Sequence, residues 1–79
     1  MASAKVVTLD VREMAPWERH PRIFETFDAL EVGDTLKLVN DHEPKPLYYQ
    51  FMAEMPGRVE WESKQMAPQE WVALIKKVA

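Results

Sequence analysis

The sequence predicts a two-layer α/β sandwich: a mixed four-stranded sheet with two helices on one face, in the order strand, helix, strand, helix, strand, strand. Three observations lead there. Short apolar runs rich in Val, Ile, Leu and Trp alternate with two segments whose apolar residues recur at helical spacing. The first two strands flank a helix, which is the arrangement of a parallel crossover unit. The last two strands are so close in sequence that they are expected to pair antiparallel. At 79 residues the chain has room for one core, expected over 6–79 behind a short flexible tail at 1–5.

Val6, Val7 and Leu9 open the first strand, which ends in Asp10-Val11-Arg12. A loop over 13–19 contains Pro16 and Trp17. The first helix is expected at 21–30, because proline is tolerated best at a helix's first position and Ile23, Phe24, Phe27 and Leu30 then form one apolar face. Gly33-Asp34 supplies a turn into a second strand, Thr35-Leu36-Lys37-Leu38-Val39-Asn40, whose apolar end suits an interior position. After the turn-rich segment 41–46, a second helix is expected to start at Pro46 and to bury Tyr48, Phe51, Met52 and Met55. Pro56-Gly57 ends it. Val59, Trp61 and Ser63 alternate with Glu60 and Glu62 in a half-buried third strand, and a connection at 65–69 leads to a fourth. There Trp71, Ala73 and Ile75 point one way and Val72, Leu74 and Lys76 the other, as in a strand apolar on both faces.

Composition narrows the function classes. The chain is 47% hydrophobic with three Trp, three Phe and two Tyr, enough to fold without a cofactor. No cysteine is present, which removes disulfides, thiolate metal sites and thiol nucleophiles. A net charge of −3 and a pI near 5.3 argue against nucleic acid and anionic membranes as partners. No apolar run approaches the roughly 18 residues of a membrane span or resembles a signal-peptide core, so the expected compartment is the cytoplasm.

The residues that could carry chemistry gather at one edge. His20 follows the first strand and His42 the second; if those strands are parallel, both lie beyond their carboxyl ends, where open α/β sheets bind ligands. Asp41, Glu43 and Tyr49 lie on or beside the same loop, and Trp17 is placed to roof it. Two imidazoles with a nearby carboxylate make a candidate divalent-metal site, although no spacing motif of the H-E-x-x-H kind is present. The bland alternative is two solvated loop histidines. Arg19, His20 and Arg22 cluster where the first helix is expected to begin, and a phosphate, sulfate or carboxylate ligand would explain cations at that position. No Gly-rich phosphate loop, serine elbow or histidine–thiol pair is present, so no catalytic residue is assigned. An acid–base set of Asp10, Arg12, Glu18, His20 and His42 is the enzymatic alternative.

The strings Leu9-Asp10-Val11-Arg12, Arg19-His20-Pro21-Arg22-Ile23-Phe24, Phe27-Asp28-Ala29-Leu30, Leu38-Val39-Asn40-Asp41-His42-Glu43-Pro44 and Pro46-Leu47-Tyr48-Tyr49-Gln50-Phe51 resemble an uncharacterised bacterial family of SirA/TusA-like domains, over about Val6 to Lys76. Such domains occur alone, in tandem or beside hemerythrin-like domains, which implies a bacterial cytoplasmic setting and a link to metal, oxygen or nitrogen-oxide metabolism. In the sulfur carriers a Cys-Pro pair opens the first helix; the resemblance matches it to His20-Pro21, which cannot carry a persulfide. The expected function is a binding or carrier-like module, a monomer or small homo-oligomer, presenting Arg19, His20, Arg22, Asp41, His42 and Tyr49 to an anion, a metal held by His20 and His42, or a protein partner. A pure protein-interaction domain with incidental histidines is the further alternative.

Overall fold

A computed structural model describes residues 4–79. Six elements follow one another: β1 (Val6–Asp10), α1 (Pro16–Asp28), β2 (Thr35–Asn40), α2 (Lys45–Glu54), β3 (Val59–Ala67) and β4 (Glu70–Lys77). The sheet order is β1-β2-β4-β3, with β1 parallel to β2 and the other two pairings antiparallel. The mixed four-stranded sheet and the expected element order are therefore present. Of the expected tail, residues 1–3 lie outside the described residues; Lys5 donates its N–H to Asp34 Oδ1 and accepts from the Thr35 N–H.

Register explains which side chains face the helices. Leu9, Leu38 and Ala73 form one cross-strand row, and Val7, Leu36, Ile75 and Trp61 another. These meet Ile23 and Phe27 of α1 and Leu47 and Phe51 of α2 in a single cluster. Phe51 is the keystone: Phe24 stacks on it with ring centres 4.5 Å apart, Phe27 meets it edge-on at 5.1 Å, and Trp61 lies at 6.0 Å. On the opposite face none of the described residues covers the sheet, and Val6, Thr8, Lys37, Leu74, Glu60 and Glu62 are exposed. β4 thus carries apolar side chains on both faces, Ala73 and Ile75 buried on one and Leu74 exposed on the other.

Helix α1 begins five residues earlier than Pro21 suggested. Pro16 takes the first helical position behind an extended Ala15 (φ −61°, ψ 140°), so the proline rule selects the other proline of the segment. Pro21 then sits inside the helix, where it has no N–H to offer the Trp17 carbonyl four residues back. His20-Pro21 consequently lies in the second turn, and its match to a Cys-Pro pair at a helix start does not hold. At the other end, Lys77 Nζ donates to the Leu30 carbonyl at 2.8 Å and lies 5.3 Å from the centre of the Phe27 ring, closing the helix's negative end with a cation. Gly33, at φ +100°, makes the left-handed turn into β2.

Further boundaries differ from expectation: β1 ends at Asp10 rather than Arg12, and α1 at Asp28 rather than Leu30. Helix α2 starts at Lys45 and turns Leu47 and Phe51 inward, with Tyr48, Met52 and Met55 half-buried on the flanks. β3 continues to Ala67 through an irregularity at 65–67, so the connection to β4 is the two residues Pro68-Gln69 rather than five. Trp61 and Trp71 are half-buried, whereas Trp17 is 78% exposed on the first turn of α1.

Candidate ligand cleft

Parallel pairing of β1 and β2 brings their carboxyl ends to one edge of the sheet, where the start of α1 faces the β2–α2 loop. Between them lies a cleft of about 340 Å³. Ile23 and Leu47 contribute its apolar wall, Pro16, Pro44 and Pro46 its rim, and Arg19, His20, Asn40, Asp41 and His42 its polar groups. His20 and His42, separated by 22 positions in the chain, therefore line the same cavity.

Arg19 organises this edge. Its Nε donates to the Met14 carbonyl at 3.1 Å, Nη1 to Asn40 Oδ1 at 3.0 Å and Asp41 Oδ1 at 3.1 Å, and Nη2 to the Arg12 carbonyl at 3.1 Å and Asp41 Oδ2 at 3.3 Å. A guanidinium has five N–H groups, and these contacts use all of them. The side chain is only 12% exposed. Arg19 is thus a clasp between the β1–α1 loop and the end of β2. Asn40, buried at the last position of β2, also accepts the Asp41 N–H at 2.9 Å through the same Oδ1.

Each imidazole is anchored through Nδ1. His42 Nδ1 lies 2.6 Å from Asp41 Oδ1, and His20 Nδ1 lies 3.2 Å from Gln50 Oε1. The reach of His20 follows from helical spacing: Phe24, four residues on, stacks on Phe51, which places His20 one turn away beside Gln50. Asp41 is held at about 2, well below the usual carboxylate range, first by the hydrogen bonds from Arg19 and then by that from His42. It stays ionised at any neutral pH.

The remaining expected site residues lie elsewhere. Arg22 is exposed and does not line the cleft. Tyr49, 64% exposed, lies on the other side of the β2–α2 loop in a smaller hollow of about 210 Å³ with Tyr48, Trp61 and Ser63. Trp17 does not roof the cleft; Pro16 beside it forms the rim. The acid–base set is not assembled either, because Asp10 takes Arg12 in a bidentate grip, with Nη2 2.7 Å from Oδ2 and Nε 3.0 Å from Oδ1. Arg12 also reaches Glu70 at 3.6 Å. The residues that pattern reading missed are Asn40 and Gln50; nothing in their spacing marks them, since each matters only through a partner distant in the chain.

The cleft offers electron-pair donors more readily than hydrogen-bond donors. Prolines at the first position of α1, just before α2 and at its second position remove backbone N–H groups that would otherwise serve an anion. The guanidinium of Arg19 is already spent on protein oxygens. Among the described residues no three His, Asp or Glu side chains converge closely enough to hold a metal between them, and no helix is long and apolar enough to cross a membrane.

A family model described as "Uncharacterized conserved protein (DUF2249)" matches residues 8–77. No curated protein and no solved structure matches the chain.

Proposed function

Since the chain belongs to this family of uncharacterised conserved proteins, we propose from its geometry that it is a binding module whose ligand enters the cleft between the start of α1 and the β2–α2 loop. One observation carries the reading: His20 and His42, distant in sequence, line a single cavity with both rings anchored through Nδ1. Binding is favoured over catalysis because the carboxylates at this edge are engaged by cationic partners, Asp10 by Arg12 and Asp41 by Arg19, and no acid–base set is assembled in the cleft.

The element order β-α-β-α-β-β supports a relation to SirA/TusA-like domains. With no cysteine, the chain cannot hold a persulfide, so the role we assign is binding or carrying something other than sulfur. The bacterial cytoplasmic setting, and the link to metal, oxygen or nitrogen-oxide metabolism, rest on that resemblance. A second reading, a protein partner at the same edge, is favoured by Trp17, a large apolar side chain 78% exposed next to the cleft rim.

The test is an NMR titration of backbone amides and imidazoles with zinc, copper, phosphate and acetate in turn. Saturable shifts confined to residues 16–23 and 40–50 are expected for at least one of them. Shifts spread over the whole surface, or centred on the open sheet face, would refute the site.

A further inference from the structure

The geometry points to a divalent transition-metal ion as the ligand, bound by Nε2 of His20 and Nε2 of His42. This rests on the cleft being the binding site and goes beyond it by naming the chemical class.

The first support is tautomeric. Asp41 Oδ1 is an ionised carboxylate oxygen and can only accept, so the proton of a neutral His42 ring resides on Nδ1 and the lone pair on Nε2. Gln50 faces His20 Nδ1 through Oε1 at 3.2 Å, an acceptor that favours the same tautomer on that ring. Two imidazoles in one cavity therefore carry their lone pairs on the same atom type. Neither Nε2 makes a hydrogen bond among the described residues. A ring held through one nitrogen by an oxygen acceptor, with the other nitrogen left as a Lewis base, is the usual arrangement behind a metal-bound histidine.

The second support is what the cavity lacks for other ligands. An anion needs N–H donors; Pro16, Pro44 and Pro46 supply none and Arg19 spends its own on protein oxygens, which leaves the Asn40 amide as the side-chain donor of the lining besides the two rings. A cation meets no uncompensated positive charge, because Arg19 is paired with Asp41 in the same wall. Asp41 and Gln50 are positioning residues in this scheme, acting through the rings they hold. With two protein donors and no third His, Asp or Glu converging among the described residues, at least two positions of a four-coordinate ion remain for water or an incoming ligand. Such a site is open. Imidazole nitrogen selects zinc, copper or nickel over magnesium or calcium.

The experiment uses the full chain, freed of metal by chelation, with Zn²⁺ as the probe and Mg²⁺ as the control. Long-range ¹H–¹⁵N spectra of the metal-free protein are expected to show both rings protonated on Nδ1. Zn²⁺ is expected to shift Nε2 of both rings with one-to-one saturation, and Mg²⁺ to shift neither. His20→Ala or His42→Ala should weaken Zn²⁺ binding more than tenfold, and Gln50→Ala should release the tautomer of His20 while leaving that of His42. Unchanged melting temperatures identify the variants as folded. If His20→Ala and His42→Ala together leave Zn²⁺ affinity intact, the assignment is wrong. If Zn²⁺ and Cu²⁺ bind nowhere while phosphate or acetate produces saturable shifts in the cleft, the metal is wrong and the binding cleft stands. If none of these probes perturbs the cleft, both readings fall.

Discussion

Replacing Arg19 tests whether one side chain builds the edge on which the candidate site depends. Its five N–H groups tie two loop carbonyls, a buried amide oxygen and a carboxylate together at 3.0–3.3 Å, with 12% of the side chain exposed. In Arg19→Ala the Met14 and Arg12 carbonyls and Asn40 Oδ1 lose a charged donor, a kind of contact worth about 1.5–3 kcal/mol. Water reaches part of the gap, so the contributions will not add, and we expect a loss of about 2–3 kcal/mol in total. For a domain of this size that corresponds to a fall of about 10–20 °C in melting temperature. Arg19→Lys retains the charge but offers three donors from a single point in place of a planar fork, so it should recover less than half of the loss. The assay is urea denaturation followed by tryptophan fluorescence, with ¹⁵N spectra of residues 12–20 and 40–42 recorded for both variants. A loss below about 0.5 kcal/mol for Arg19→Ala, the range of an ordinary surface change, would show that the clasp is geometric only.

Three other outcomes are expected. Phe51→Ala removes the ring on which Phe24 and Phe27 pack and should cost about 3–5 kcal/mol, read as a lower denaturant midpoint or loss of the cooperative transition; a change under about 1 kcal/mol would show that the core does not centre there. Ala15→Ser should raise stability by about 0.5–1 kcal/mol, because α1 has no side-chain cap and Glu18 already stands three residues on to complete a capping box; no rise in melting temperature would place the helix start elsewhere. Asp34 accepts the Lys5 and Glu31 N–H groups, which holds its carboxyl below the usual range, so its stabilising effect is complete above the ordinary value of 3.8 and lost as pH falls through the lowered one. The denaturant midpoint of the native chain should therefore drop more steeply below about pH 4 than that of Asp34→Ala, and parallel curves would remove Asp34 from the acid response.

Periodicity sufficed where an element buries one continuous face. Ile23 and Phe27 identify the body of α1, and the apolar end of Thr35-Leu36-Lys37-Leu38-Val39-Asn40 identifies an interior strand. The start of α1 was not legible in this way, because its first five residues bury almost nothing: Pro16, Trp17, Glu18 and His20 are all exposed, and only Arg19 turns inward. With two prolines in the segment, local rules allow a start at either; the start at Pro16 places Arg19 where it reaches Asn40 and Asp41, partners 21 and 22 positions away in the chain. The shift of the buried stripe in α2 from Tyr48 to Leu47 has a similar origin. Tyr48 is drawn to the flank by Trp61 of β3, 5.4 Å away and edge-on, a neighbour brought there by the sheet. The convergence of His20 and His42 was legible, since it needed only the parallel sense of β1 and β2. What holds each ring was not.

The clasp and the proposed ligand site share one carboxylate, and this couples stability to binding. Asp41 Oδ1 accepts from Arg19 on one side and from His42 on the other. Pro21 interrupts the backbone ladder behind the first turn of α1, so that turn relies on Arg19 to stay against β2, and His20 is the next residue along it. Any loosening of the Arg19–Asp41 contact therefore acts on both rings at once: His20 moves with the turn, and His42 loses the acceptor that fixes its tautomer. A ligand that bridges the two rings does the reverse, linking the first turn to the β2–α2 loop at a second point and stabilising the folded chain by mass action. Melting temperature measured against Zn²⁺ concentration consequently reports on the site itself. A clasp built only for stability would not need histidines on both sides of it.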